Sequence, residues 1–276
     1  MAQATFGEPK WRTIDGLKIR YAAQPGSGEN VLLLSPWPES IYAFAQIWEG
    51  LASRFNVLAI DLPGFGQSES RDDLFAPRAM GEFIAKTIAA FELGAVHAVG
   101  PDVGTPSLLF AAQAHPALFR SLVVGAGAAT HPLVIAGTLK SMVEAETLPP
   151  LNPAEVIGGF VTSIRGYAVP GYVREDYLAS YRGDRFARSA GLVRAYPKDL
   201  AHLSPALPSI ETPVQIVVGR NDPYGLARDA AILRDRLPRA RLDVLDCGHC
   251  VWEERAREYE AILTSWIAGD FKTVAT

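Results

Sequence analysis

The sequence predicts an α/β protein built on a mostly parallel, doubly wound sheet with an inserted helical cap. Three observations predict it. Short, mostly apolar runs recur at 31–34, 57–60, 96–99, 121–125 and 214–218, the composition of strands buried on both faces. Segments of helical length and spacing lie between them, the alternation that yields parallel strands joined by crossover helices. From about residue 129 to 208 the alternation stops, and helical segments, repeated Pro and Gly breaks and a run of tyrosines take over. Residues 1–128 and 209–276 are therefore assigned to the core domain and 129–208 to the helical cap domain.

In order, Trp11–Ile14 and Leu17–Ala23 read as strands around Asp15-Gly16, a strong hairpin signal. Val31–Leu34 is a buried strand, and the Ser35-Pro36-Trp37-Pro38-Glu39-Ser40 stretch after it is too proline-rich for regular structure. Ile41–Arg54 has helical spacing, with Ser40 as its cap. Val57–Ile60 is the next strand, closed by Asp61-Leu62-Pro63-Gly64-Phe65-Gly66-Gln67-Ser68. Pro77–Leu93 is an amphipathic helix, Val96–Val99 a strand, Thr105–His115 a helix and Ser121–Gly125 a strand. Gly125-Ala126-Gly127 hints at a dinucleotide loop, but the third glycine of that fingerprint is missing. After the cap come strand Val214–Val218, a helix around Ala227–Leu237, strand Leu242–Leu245 and helix Glu254–Ile267.

At 276 residues, 49% of them hydrophobic, the chain can bury one sizeable core without disulfide staples. A net charge of -4 argues against nucleic acid or an anionic membrane as the main partner. No leader-like segment and no apolar run of the ~20 residues that span a bilayer is present, so a cytoplasmic, soluble protein is expected. The two cysteines spell Cys247-Gly248-His249-Cys250, a pattern carried by thiol–disulfide oxidoreductases. There it opens a long helix early in a small βαβ domain. Here it follows a late strand, which disfavours redox chemistry.

The segment Val96 to Phe110 runs strand, sharp turn, helix, with Asp102 at the apex and Gly100 and Gly104 on either side. Side chains at those glycines are expected to crowd the turn. Pro106 suits the first helical turn. The frame G-x-D-x-G has the shape of a nucleophile elbow carrying Asp in place of Ser. A helix N-cap is the other reading of Asp102. In open parallel sheets ligands sit beyond the carboxyl ends of the strands, and two more polar residues stand at such ends. Asp222 follows Val214–Val218, and His249 follows Leu242–Leu245. Alone, Asp222 could be an Asx-turn residue and His249 a loop histidine. Together the three stand in the order nucleophile, acid, histidine.

These motifs resemble the Asp-nucleophile branch of the α/β-hydrolase fold family, which holds epoxide hydrolases and haloalkane or haloacid dehalogenases. Ser35 to Ser40 is similar to the H-G-x-P-E-S segment of epoxide hydrolases, Asp61 to Ser68 to their D-x-P-G-x-G-x-S turn, and Gly100 to Gly104 to their G-H-D-V-G elbow. Gly191–Ala201 is similar to a cap segment of some haloalkane dehalogenases. Ser35-Pro36 departs from His-Gly, and Pro101 from the elbow His. The resemblance implies catalysis by Asp102, Asp222 and His249, an oxyanion hole from the amides of Trp37 and Val103, and no cofactor or metal. It implies a small, largely apolar organic substrate and a monomer or homodimer. Dehalogenases usually place Trp or Arg after the nucleophile to hold the halide. Val103 offers no such donor, leaving only the Trp37 indole.

Asp suits this chemistry because attack on a saturated carbon gives an ester, which water can cleave, where Ser would give an inert ether. His249, oriented by Asp222, would activate that water. Epoxide opening also needs an acid for the alkoxide. Tyr196 is the favoured donor and Tyr167 the second, both as substrate-binding residues with Trp37, whereas the i, i+4 pair Tyr177 and Tyr181 reads as helix packing. Epoxide hydrolysis is the leading reading, dehalogenation the next, and a ligand-binding protein of this fold with weak or no turnover the third.

Overall fold

The computed structural model describes residues 6–148 and 152–274. Eight strands form one sheet: β1 Lys10–Ile14, β2 Leu17–Gln24, β3 Asn30–Leu34, β4 Asn56–Ile60, β5 Val96–Pro101, β6 Phe119–Gly125, β7 Val214–Gly219 and β8 Ala240–Leu245. Their spatial order is β1-β2-β4-β3-β5-β6-β7-β8. The β1–β2 hairpin joins antiparallel to β4, and every other pairing is parallel. Asp15 and Gly16 both take positive φ, as the two-residue hairpin requires.

The apolar runs build two cores because successive strand residues face opposite ways. Leu32, Leu34, Leu58 and Ile60 point to one face, under the packed helices Pro77–Ala90 and Gly104–Ala114. Val31, Leu33, Val57 and Ala59 point to the other, against Trp48, Trp252 and Trp266. Both faces are dry, so the polar ends of the strands are where chemistry can gather.

One expected helix is broken. Ile41–Arg54 becomes a 3-10 turn, Ile41–Phe44, and a short helix, Trp48–Ala52. Ser40 does cap the first, its Oγ accepting the Tyr42 N–H at 3.3 Å, but Asp61 Oδ1 takes the Ile41 N–H and pins this loop to the exit of β4. The last helix, expected over Glu254–Ile267, runs Ala256–Ala268, and a separate short helix, Val251–Glu254, precedes it. Between β6 and β7 the chain leaves the sheet for the helices Gly137–Glu144, Pro153–Ser163, Gly171–Ser180, Arg185–Ser189, Gly191–Arg194 and Tyr196–Ala206.

Candidate active site

Between the end of β5 at Pro101 and the start of its helix at Gly104, only Asp102 and Val103 make the turn. Asp102 pays for this with φ +53°, a left-handed conformation that costs a non-glycine residue about 1–3 kcal/mol. Neighbouring groups hold it there. Its N–H donates to Gly125 O at 2.9 Å, and Thr105 Oγ1 bonds Gly100 O, Gly125 O and the Gly125 N–H. A Cβ on Gly100 would lie 2.6 Å from Leu108 Cδ1 and 3.1 Å from Gly104 O, so a side chain there would force Leu108 to shift. A Cβ on Gly104 would meet nothing nearer than 3.7 Å. The second close approach is at Gly127, whose Cβ would fall 2.0 Å from Asp102 O. The Gly125-Ala126-Gly127 run thus makes room for the elbow and opens no helix, which removes the dinucleotide-loop hint.

The elbow projects Asp102 into an enclosed site with only 8% of the residue exposed. Its Oδ2 accepts the Trp37 N–H at 2.6 Å, and the Val103 N–H, next in the chain, also favours the carboxylate. Oδ1 faces His249 Nε2 across 3.9 Å, too far for a hydrogen bond. On the other side of the ring, His249 Nδ1 bonds Asp222 Oδ2 at 2.8 Å. Asp222 Oδ1 meanwhile accepts the Tyr224 N–H at 2.7 Å, so the Asx turn and the contact to histidine coexist in one carboxylate. The three expected residues come together.

Their charges are shaped by enclosure. Burial pushes Asp102 up to about 6, against the His249 charge and the Trp37 and Val103 amides that favour the carboxylate. Burial works to lower His249, but the hydrogen bond and charge of Asp222, with Asp102 and Glu39 beyond, carry it up to about 9. These values favour an ionised Asp102 beside a protonated His249 at neutral pH.

A cavity of about 390 Å³ opens over this pair. Asp102, His249 and Tyr224 line it from the sheet, and Leu139, Met142 and Phe160 from the helical excursion. Trp37 lines it too, but its indole N–H is taken by Ser189 Oγ at 2.8 Å and its ring stacks on Phe186. That donor is therefore committed, and cannot serve as the free halide ligand entertained above. Ser35, in the place of His, uses its Oγ to accept the Leu62 N–H, which ties this loop to the chain leaving β4.

The tyrosines depart from expectation. Neither Tyr167 nor Tyr196 is among the cavity-lining residues. Tyr167 is half-buried with its phenol raised by burial and by Glu253, Tyr172 and Glu39, so it belongs with those carboxyls and not with Asp102. Tyr196 is 1% exposed at the start of its helix, and burial followed by the Asp102 charge raises it well above the usual phenol range. The Asp102 charge reaches it, but its side chain does not line the cavity. Tyr177 donates its one proton to Glu39 or Glu253, and Tyr181 donates to Glu39 O, so both phenols are committed to packing contacts. Tyr224, which the sequence reading passed over, lines the cavity with its ring edge-on to His249 at 4.8 Å. Its position two residues after Asp222, in a strand-end loop, was the available signal.

Among the described residues, side chains capable of ligating a metal gather only at Glu39, Cys250 and Glu253. Cys247 and Cys250 are both buried, and burial pushes the Cys247 thiol up to about 12 and Cys250 well above its usual value. Redox thiols need the opposite shift.

The family model of the alpha/beta hydrolase family matches residues 26–262. The chain belongs to that family. The curated relatives of this α/β hydrolase include the magnesium-chelatase 30 kDa subunit of Rhodobacter capsulatus, 25% identical over 97% of this chain and 94% of the relative. The soluble epoxide hydrolase of Corynebacterium sp. (strain C12) is 33% identical over 91 residues, 33% of this chain and 32% of the relative. Among solved structures, Cfl2 from Burkholderia cenocepacia superposes with a TM-score of 0.81 at 18% identity, covering 97% of this chain and 98% of that one. No helix among the described residues is long and apolar enough to cross a membrane.

Proposed function

We propose that this α/β hydrolase opens small apolar epoxides by forming an ester on Asp102 and cleaves that ester with water activated by His249. The observation that carries the reading is the division of labour within one carboxylate: Asp102 Oδ2 is held by the Trp37 backbone N–H, while Oδ1 is left facing His249 at 3.9 Å. In the first step Oδ1 attacks an epoxide carbon, the ring C–O bond breaks, and a phenol donates its proton to the oxygen. Tyr224, from the cavity wall, and Tyr196, which the Asp102 charge reaches, are the two candidates for that phenol.

Ester formation removes the Asp102 charge, one of the influences that hold a proton on His249, so that the imidazolium releases its proton to solvent and can act as a base. His249 then takes a proton from water, and the hydroxide adds to Asp102 Cγ. The oxyanion is received by the Trp37 amide already on Oδ2 and by the Val103 amide beside it. Collapse breaks the ester C–O bond, the leaving alkoxide takes the proton from the imidazolium to complete the diol, and the proton of the new Asp102 carboxyl passes to the phenolate, which restores the carboxylate. The helices of 129–208 act as a cap over the cavity, with apolar side chains that select the organic part of the substrate. The local likeness to the Corynebacterium epoxide hydrolase supports this choice, and the buried valine after Asp102 counts against halide release.

The test is His249→Gln, which should stop the second step. Intact-mass measurement after mixing with an epoxide panel should show the substrate mass added, on the peptide that contains Asp102. Turnover of haloacids or aryl esters with no epoxide reaction would overturn the substrate assignment. Binding with no adduct and no turnover would favour a ligand-binding protein.

A further inference from the structure

Glu39 and Glu253 form a second buried carboxyl site beside His249, and the ester chemistry above uses neither. Glu39 is wholly enclosed in the loop after β3, and Glu253, in the short helix after His249, is 3% exposed. Glu39 Oε1 accepts the Trp252 indole N–H at 3.2 Å and the Tyr177 hydroxyl at 3.3 Å. Glu253 Oε1 accepts that same hydroxyl at 3.3 Å. A hydroxyl carries one proton, so it serves one of the two at a time. Oε2 of each carboxyl is buried with no partner at all. One oxygen from each lies within 4.8 Å of the other and of Cys250 Sγ.

Two bare carboxylates this close in a dry site repel each other and leave two oxygens, the Oε2 of each, without a donor. One proton held between them removes the repulsion and supplies the missing bond. Burial pushes both groups upward, and at Glu39 the neighbouring Glu253 adds to it. The groups that bear on the pair are Asp102 and His249 from the catalytic loops, Tyr167, Tyr177 and Tyr181 from the helical excursion, and Cys250 and Glu254 beside Glu253. None of these is a lysine or an arginine. Trp252 couples the pair to the triad: its N–H rests on Glu39 while its ring packs edge-on against His249, centroids 5.8 Å apart.

We propose that Glu39 and Glu253 share one proton, and that the single negative charge left on the pair is a positioning element that strengthens His249 as a base. The shared proton stands by itself; the benefit to hydrolysis rests on the ester mechanism. When the ester forms, Asp102 loses its charge. The Asp222 carboxylate and the pair remain to draw the water proton onto His249.

The charge count gives a sharp test. Glu253→Gln mimics the protonated partner and keeps the charge on Glu39, whereas the Glu39→Gln, Glu253→Gln double variant removes it. The His249 ring can be titrated by nitrogen NMR without substrate, its signal assigned by loss in His249→Gln. The single variant should leave the His249 pKa in place, and the double should lower it by about half a unit or more. A fall already in the single variant would mean two charges, and no fall in a folded double variant would mean none; either overturns the proposal. If the double variant does not fold, infrared difference spectra at pH 7 still decide. The parent minus Glu253→Gln should contain one protonated carboxyl band, and its absence overturns the shared proton. A His249 titration that EDTA moves in the parent protein would put a cation in place of the proton. In single-turnover kinetics the pH limb of ester hydrolysis should fall with the NMR value while ester formation holds its limb. If His249 shifts but no epoxide labels Asp102, the ester reading fails and the shared charge stands.

Discussion

Two buried charge clusters in this molecule contain carboxylates at similar depth, and they are built in opposite ways. In the first, Arg20 on β2 lies between Asp61 at the exit of β4 and Asp176 in the helical excursion. Its Nε bonds Asp61, and its two terminal nitrogens hold Asp176 in a fork at 2.6 and 2.9 Å. Ser40 and Gln67 complete Asp176, and Gln67 N and Ile41 N complete Asp61. Every oxygen there has a donor. In the second, Asp102 has one oxygen bonded and one left facing a histidine that does not reach it, and Glu39 and Glu253 each leave an oxygen bare. A satisfied cluster ties elements together; an unsatisfied one keeps free energy in reserve for a ligand or a proton.

Asp102→Asn should give the largest effect, and in opposite directions for activity and stability. Ester formation should fall below detection, by about 1000-fold or more, because an amide is a poor nucleophile. Asp102 is raised above its unfolded value, so the folded state resists its ionisation, and the cost grows as pH rises through the unfolded range toward about 6. Thermal melting at pH 7 should therefore show the Asn variant as stable as the parent or more so. In the parent, the ester-forming rate should climb with pH through about 6, since only the carboxylate attacks.

Arg20→Met should do the reverse. It leaves Asp61 buried without its charge partner, a change that costs about 3–5 kcal/mol in comparable cases. Denaturant unfolding should show that loss, while the surviving folded fraction still labels at Asp102. If ester formation is lost with the fold intact, the first cluster is part of the chemistry and the contrast fails.

A smaller effect separates the two phenols. Removing the donor to an opening epoxide should slow ester formation by about 100-fold and leave hydrolysis of the preformed ester nearly unchanged. Tyr224→Phe should show this if the cavity-lining phenol is the donor, and Tyr196→Phe if the one outside the lining is. Single-turnover rates for both variants answer the question, and equal rates in both would remove the phenol from the mechanism. The smallest effect is expected for the Cys247→Ser, Cys250→Ser double variant, whose steady-state turnover should stay within about twofold because neither thiol is an accessible nucleophile.

The residues that were legible in the chain share a property: their positions are set by backbone rules that act over a few residues. Buried strands announce themselves by composition, a sharp strand-to-helix turn by its glycine, and a polar residue after a strand by the polarity of parallel sheets. On those grounds the sequence by itself determined the sheet, the elbow at Asp102 and the meeting of Asp102, Asp222 and His249. It could not explain Gly127, because a glycine that makes room for a carbonyl 25 residues away looks locally like part of an incomplete nucleotide loop. The aim of a long side chain is a different matter. Whether Tyr167, Tyr177, Tyr196 or Tyr224 faces the cavity depends on how the helices after β6 settle on the sheet, through contacts between residues distant in sequence, such as Arg20 with Asp176. Glu39 and Glu253 are 214 positions apart and meet only because β3 and the segment after β8 end on the same side of the sheet. Only the tertiary structure decided which phenol lines the cavity and which carboxyls share a site, since packing of this kind has no local signature in the chain.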